Sequence, residues 1–330
     1  MKFANDELSK NARGGTELIK NRLKAEFENE PGLENIQFFT SRVHEPIDPN
    51  AIVIYHHQDL PNDTSAVEQL KDGRWRRFDW LVFNSNWQMN AFMSCFGIPY
   101  DRCVVLDNAI DPIPAHEKPN DITRLCYYST PHRGLELLYP AFEALANKHP
   151  SIVLEVASSF ATYGWAERDA HYQKLFDQLQ AHPRIIYHGS LTNEGIRDMI
   201  QRSHIFAYPS IWMETSCISL IEAMSGGLFC VHPNLAALAD TSGGLTTMYQ
   251  YNEDHNTHAT TFMNVLDQAI TSVHEKNAVD YLNFQKIYAD VRFSWEKRIP
   301  QWRNFLHAAV QIGSRKIDPN TSSVFTYKSS

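Results

Sequence analysis

Short apolar runs alternate with longer segments of helical periodicity along most of this 330-residue chain. This alternation is typical of a mainly parallel β-sheet that is covered by helices. The runs that we predict as strands are 51–55, 80–83, 103–106, 125–128, 152–156, 185–187, 205–208 and 228–231. The segments that we predict as helices are 15–27, 87–96, 135–147, 167–179, 193–201, 218–224 and 260–275. The sequence therefore predicts an α/β protein.

A segment rich in proline and charge, residues 111–120, separates these elements into two groups. Such a composition favours a linker between domains. A chain of 330 residues with 43% hydrophobic residues can also bury two cores of ordinary size. We therefore predict one domain over residues 1–114, a second over 115–293, and a flexible tail over 316–330.

Two glutamates, Glu214 and Glu222, stand eight positions apart across a predicted helix start. Thr215 or Ser216 is the predicted N-cap, so the backbone N–H groups of residues 216–218 would point outward at the positive end of the helix. A diphosphate binds at such an end without many cationic side chains. Glutamates near helices are usually solvated, but the apolar and small residues around this pair favour a packed segment, where a carboxylate needs partners. The spacing thus suits the sugar-phosphate end of a nucleotide.

This segment resembles the donor-site motif of the group 1 glycosyltransferases, which are retaining enzymes with the GT-B fold. Pro-Ser, a glutamate, seven residues, Glu-Ala-Met, Gly-Gly and an apolar strand carry the resemblance. It implies two Rossmann-like domains that face each other across a cleft. It also implies that Glu214 lies by the donor sugar and that Glu222 holds the ribose. The residues whose amides would bind the diphosphate are Ser216, Cys217 and Ile218, although the family usually has Phe-Gly where this chain has Ser216-Cys217.

Two further segments resemble the donor side of the family. Arg133-Gly134 follows a predicted strand and matches the second of two basic positions, while Ser129 and Thr130 stand where the first would be. The resemblance implies that Arg133 is the one cation on the diphosphate and stabilises the leaving charge. The residues that resemble the loop against the nucleotide base are Gly189, Ser190 and Leu191.

The N-terminal half supplies candidates around a glycine pair and a histidine pair. Gly14 and Gly15 open a predicted helix and would allow a phosphate or sugar to approach the backbone closely. His56, His57 and Asp59 follow a predicted strand, where the histidines could bind a metal, but no third ligand follows at a suitable spacing. The resemblance implies that His57 contacts the donor sugar or the acceptor. We place Gly15 on the donor side, and Gly14, His56 and Asp59 on the acceptor side.

The first domain is predicted to be shortened, because residues 1–12 are polar and predict no strand. Residues 294–315 predict a final aromatic-rich helix, which in the resembled fold returns to the first domain and completes it.

Charge and cysteine content exclude several protein classes. A net charge of −8 argues against a broad nucleic-acid-binding face, which requires clustered Lys and Arg. Five cysteines without a CxxC pair predict reduced thiols. The N-terminus lacks a signal-like apolar region, and no window is apolar enough for a membrane span. We therefore predict a cytoplasmic protein without a transmembrane segment.

The combined pattern predicts a retaining, metal-independent glycosyltransferase of the hexosyltransferase type. It would move a sugar from a nucleotide-diphosphate sugar to a carbohydrate or other hydroxyl acceptor, with no cofactor beyond this co-substrate. The alternatives are a non-catalytic nucleotide-sugar-binding protein and a sugar-nucleotide epimerase or phosphorylase of the same fold. A nicotinamide-dependent dehydrogenase is disfavoured, because the chain has no GxGxxG motif.

Overall fold

The structure, a computed structural model, describes residues 1–4 and 14–316. The described residues form two compact units, of which the first contains residues 1–4, 20–106 and 299–316 and the second contains 14–19 and 107–298. Each unit holds a parallel sheet, so the predicted α/β class with two sheet-bearing units is confirmed. Residues 317–330 of the predicted tail lie outside the described residues.

The first unit contains a parallel sheet with the order β1-β2-β3-β4-β5. Its strands are β1 (Lys2–Phe3), β2 (Ile36–Thr40), β3 (Ile52–His56), β4 (Trp80–Phe83) and β5 (Cys103–Val105). Every residue of β2 and β3 is buried, as expected for parallel strands that are covered on both faces.

The start of the first sheet differs from the prediction. We predicted no strand in residues 1–12, but Lys2–Phe3 forms a short strand that pairs in parallel with Gln37 and Phe38 of β2. The prediction was wrong because two residues carry no recognisable periodicity. Their extended conformation depends on a partner strand that is distant in the sequence.

The second unit contains a parallel sheet with the order β11-β10-β9-β6-β7-β8. Its strands are β6 (Thr123–Tyr128), β7 (Ile152–Ala157), β8 (Ile185–Gly189), β9 (Ile205–Ala207), β10 (Phe229–Pro233) and β11 (Thr247–Tyr249). The chain proceeds from β6 to one edge of the sheet and then returns from β9 to the other. The strand order therefore reverses between β6 and β9, and ligands bind beyond the carboxyl ends of parallel strands at such a point.

The helices cover these sheets or lie beside them. They are α1 (Gly15–Phe27), α2 (Thr64–Val67), α3 (Asn86–Phe96), α4 (Leu135–Lys148), α5 (Gln173–Ala181), α6 (Asn193–Arg202), α7 (Ile218–Ser225), α8 (Leu238–Ser242), α9 (His255–Ser272), α10 (Lys276–Phe293) and α11 (Trp295–Ile312). The predicted helix over 167–179 is in fact divided, since Ala166–Tyr172 forms 3-10 turns before α5 begins. None of the helices in the described ranges is long and apolar enough to cross a membrane.

Helix α4 shows how the sequence builds the covering layer. Leu135, Leu138, Phe142 and Leu145 are buried and follow one another at helical spacing, so they form a single apolar face. The helix begins after Gly134, whose φ of 113° is strained for residues that carry a Cβ. This turn fixes the direction in which the chain leaves the carboxyl end of β6.

Two segments at the ends of the 107–298 stretch lie side by side within the second unit. Ile110 forms a parallel bridge with Ser294, and its carbonyl accepts a hydrogen bond from the Trp295 N–H at 3.1 Å. The Asp107 carboxylate accepts hydrogen bonds from Arg292 at 3.1 Å and from Arg298 at 3.3 Å. The chain therefore enters and leaves this unit through one hydrogen-bonded pair of segments.

Candidate functional site

A pocket lies in the second unit, beyond the carboxyl ends of β6, β7 and β8. Its open volume is about 770 Å³ with the mouth included, within the roughly 300–1,000 Å³ range of small-molecule sites. The predicted site residues that line it are Gly14, Gly15, Ser129, Thr130, Arg133, Gly189, Ser190, Leu191, Ile218 and Glu222. The structure thus brings together residues from separate segments of the sequence.

The N-cap of helix α7 lies later in the sequence than predicted. It is Cys217, with φ −84° and ψ 97°, and the first helical residue is Ile218. The prediction of Thr215 or Ser216 as N-cap was therefore wrong, because the chain from Glu214 to Cys217 stays outside the helix. The first N–H that bonds within this helix belongs to Ile221 and donates to the Cys217 carbonyl at 3.1 Å. The N–H groups of Ile218 and Ser219 precede it, and both residues line the pocket.

Arg133 lines the pocket and forms an ion pair with Glu214. Arg133 Nη1 donates to Glu214 Oε1 at 2.7 Å, and the Tyr208 hydroxyl donates to the same oxygen at 2.6 Å. Burial alone would lower the pKa of Arg133, but the neighbouring carboxylate outweighs burial and raises that pKa, so the guanidinium stays charged. Glu214 is only 6% exposed and does not line the pocket.

Two polar atoms beside the pocket have no hydrogen-bond partner within the described residues. They are Nε of Arg133 and Oγ1 of Thr130, and both are buried. A buried donor without a partner costs stability, so these atoms favour a ligand that supplies hydrogen-bond acceptors.

Glu222 lies one turn into α7 and is half-buried at the pocket wall. Burial raises the pKa of its carboxyl group to about 7, and the cation of Arg197 offsets only part of this effect. Polar hydrogens from a ligand, such as those of a diol, would stabilise the ionised form.

The glycine pair forms another wall of the pocket. A Cβ built on Gly14 would lie 2.4 Å from Cε1 of Tyr163, and one built on Gly15 would lie 2.8 Å from Cδ1 of Ile218. Both distances are shorter than real Cβ contacts. Glycine is therefore required for the start of α1 to approach this wall so closely.

Several predicted residues lie outside the pocket lining. Ser216 and Cys217 are buried beneath the start of α7, and the Ser216 carbonyl accepts a hydrogen bond from Asn108 at 3.4 Å. His56, His57 and Asp59 belong to the first unit, where Asp59 pairs with Arg42 at 2.5 Å.

The histidine pair is enclosed in the first unit. His57 is fully buried, and its ring stacks on Phe83 with 5.3 Å between ring centroids. Burial lowers the pKa of His57 well below its ordinary value. His56 is also buried and hydrogen bonds to Asn84 at 2.8 Å. No group of three potential metal ligands occurs in the part of the chain that the structure describes.

Sequence reasoning missed Tyr163, Thr162 and Ser219, all of which line the pocket. Tyr163 and Thr162 lie in an irregular loop after β7, where no periodic pattern identified them. Ser219 would have been found if the N-cap of α7 had been placed correctly.

A family model for group 1 glycosyl transferases matches residues 116–241, which include β6 to β10 and most of the pocket. The chain contains a group 1 glycosyltransferase domain. This glycosyltransferase domain is similar in sequence to one component of the human phosphatidylinositol N-acetylglucosaminyltransferase, with 25% identity over 145 residues. That match covers 41% of the chain and 28% of the human protein, so the chain spans about a quarter of this relative.

Solved structures of glycosyltransferases share the fold. A glycosyltransferase from Rickettsia africae has a TM-score of 0.66 and 13% identity, covering 93% of this chain and 84% of that one. Anabaena HepE in complex with UDP and glucose has a TM-score of 0.64 and 14% identity, covering 83% of this chain and 78% of that one. The predicted GT-B class of the glycosyltransferase is thus confirmed at the level of fold.

Proposed function

We propose that this protein transfers a sugar from a nucleotide-diphosphate sugar to an acceptor hydroxyl. The observation that carries the proposal is the shared pocket of Arg133, the start of α7 and Glu222. A cation and free helix amides suit a diphosphate, while a carboxylate one turn further along suits a ribose diol. A nucleotide-diphosphate sugar uses all three features at once.

The donor we expect first is a UDP sugar. Anabaena HepE was solved with UDP and glucose, and the human relative is named for N-acetylglucosamine transfer. UDP-N-acetylglucosamine and UDP-glucose are therefore the first donors to test. The acceptor is a hydroxyl compound whose class stays open.

The mechanism that the pocket supports is departure of the nucleoside diphosphate, with charge growing on its leaving oxygens. Arg133 and the amides of Ile218 and Ser219 would stabilise that charge, and preorganised donors of this kind usually supply the largest part of catalysis. We propose that the acceptor attacks from the same face, so that the anomeric configuration is retained. The leaving phosphate can take the acceptor proton, which requires neither a protein base nor a metal. His57 has no part in this proposal, because its ring is enclosed in the first unit.

The test begins with binding and continues to turnover. Thermal unfolding is measured with UDP, GDP, ADP and TDP sugars, since a ligand that binds the folded state raises the apparent stability. The donor that gives the largest shift is then supplied in labelled form, and release of the nucleoside diphosphate is followed with and without EDTA. The anomeric configuration of the product is determined by NMR.

Each alternative predicts a different outcome. Binding without hydrolysis or transfer would contradict the enzyme and support a nucleotide-sugar-binding protein. Conversion of the donor into an epimer would support the epimerase. An inverted product would contradict retention, and loss of turnover in EDTA would contradict metal independence.

A further inference from the structure

Arg133 is held by two side chains through different nitrogens of its guanidinium. Nη1 donates to Glu214 Oε1 at 2.7 Å, whereas Nη2 donates to the hydroxyl oxygen of Tyr163 at 3.2 Å. The Nε–H is buried and has no hydrogen-bond partner among the described residues. One donor of the guanidinium thus stays available to an anion, while the other two contacts fix the orientation of the group.

Tyr163 also contacts the wall of the pocket through its ring. It ends the 3-10 turn Phe160–Tyr163 and precedes Gly164, whose φ of 76° reverses the chain. The ring lies so close to Gly14 that a Cβ there would come within 2.4 Å of Cε1. Tyr163 therefore links the glycine wall to Arg133 in a single side chain.

An arginine side chain loses much rotational freedom when it is fixed, at a cost of up to about 2 kcal/mol. If this cost is met in the folded protein before the ligand arrives, it does not reduce ligand affinity or transition-state stabilisation. The contacts with Tyr163 and Glu214 hold Arg133 in place without a ligand.

We propose that Tyr163 is a positioning residue for the transfer reaction, which holds the Arg133 guanidinium toward the donor diphosphate. This proposal rests on the proposed function, because the diphosphate belongs to that donor. Glu214 acts in the same way from the other nitrogen, through Arg133 and not through the sugar. Tyr163 lies in a loop that the family resemblance did not cover, so its role belongs to this chain's own structure.

The first experiment measures the binding of inorganic pyrophosphate by calorimetry at pH 8. Tyr163→Phe keeps the ring against Gly14 and removes only the hydroxyl. We expect pyrophosphate affinity to fall about 10-fold, which corresponds to the loss of one hydrogen bond to a charged group. Tyr100→Phe is the matched control, since Tyr100 is 71% exposed and lies in the first unit. It should bind pyrophosphate like the parent protein.

The second experiment is a double-mutant cycle between Tyr163→Phe and Arg133→Ala. If Tyr163 acts through Arg133, removing its hydroxyl should change pyrophosphate affinity by less than about 2-fold once Arg133 is absent. With a nucleotide-sugar donor, Tyr163→Phe should lower kcat by about 10-fold and change KM much less, because the charge grows in the transition state. A role in packing alone would give additive losses and no split between kcat and KM.

The proposal is overturned if the parent does not bind pyrophosphate, if Tyr163→Phe binds it like the parent, or if the two losses add. These outcomes are distinct from failure of the proposed function. A protein that binds pyrophosphate with coupled losses but neither transfers nor hydrolyses any donor would contradict the enzyme and still support the positioning role.

Discussion

Gly134 lies directly against Pro209: a Cβ built on Gly134 would come within 2.1 Å of the Pro209 carbonyl oxygen. The two residues belong to the loops after β6 and β9, at the point where the strand order of the second sheet reverses. Close approach of these loops places Arg133, which precedes Gly134, beside Glu214.

Gly134→Ala should therefore destabilise the protein strongly. Its φ of 113° and the contact with a rigid carbonyl both disfavour a Cβ, and we expect a loss of about 3 kcal/mol or more in the free energy of unfolding. Gly97→Ala is the matched control, because Gly97 has a φ of 62° with no atom within 4 Å of its Cβ position. It should cost only about 1 kcal/mol. Equal losses in urea unfolding of the two variants would contradict the close contact.

Glu222→Ala should weaken donor binding. If the carboxylate accepts charge-assisted hydrogen bonds from the ribose, its removal should cost on the order of 1.5 to 3 kcal/mol of binding free energy. Calorimetry with the preferred nucleotide sugar at pH 8 measures the loss, with the exposed Glu253→Ala as control. Unchanged affinity in a folded Glu222→Ala protein would contradict the ribose assignment.

Glu222→Gln should change the pH dependence of stability without a ligand. The pKa of Glu222 is about 7 in the folded protein and 4.5 for an ordinary glutamate. The folded state therefore holds a proton that the unfolded chain releases between these values, and stability falls as the pH rises through this range. Glutamine does not titrate, so the variant should gain stability over the parent between pH 5 and pH 8, by at most about 3 kcal/mol.

Unfolding curves of both proteins at several pH values measure this difference. A constant gap between parent and variant from pH 5 to pH 8 would show that the carboxyl group titrates normally.

Arg133→Ala should reduce turnover more than donor binding. The charge on the leaving diphosphate grows in the transition state, so we expect kcat to fall by about 100-fold and donor affinity by about 10-fold or less. Arg133→Lys serves as the comparison, since it keeps a charge but loses the planar fork that contacts Glu214 and Tyr163. An increase in KM with unchanged kcat would indicate uniform binding and contradict a role in the transition state.

The sequence predicted strands with clear apolar runs well and missed those that depend on context. β4 was predicted with its observed limits, whereas β2 and β11 were not predicted. In β2 the buried Gln37 interrupts the apolar run, and its amide group is satisfied by Glu45 and by the Pro46 carbonyl at 2.9 Å. Such compensation is visible only in three dimensions.

Helix α10 was missed for a different reason. Leu282, Ala289 and Phe293 are buried in it, but Phe284 and Ile287 are 58% and 60% exposed. Apolar residues on both faces erase the periodicity by which an amphipathic helix is recognised.

The donor side of the candidate site was largely predictable, because its residues follow strands and begin helices. The exceptions are local. Thr215 and Ser216 are better N-cap residue types than Cys217, yet the helix starts after Cys217. The contact between Arg133 and Tyr163 joins positions 30 residues apart through an irregular loop, which no sequence pattern indicates.

The bridge between Ile110 and Ser294 has a practical consequence for protein engineering. Because it brings together the ends of the 107–298 stretch, that stretch is a candidate for expression as an autonomous fragment or for circular permutation. The fragment would keep Arg133, Glu214 and Glu222 but lose Gly14 and Gly15. Its affinity for a nucleotide sugar, compared with that of the whole chain, would measure how much the glycine wall contributes to holding the donor.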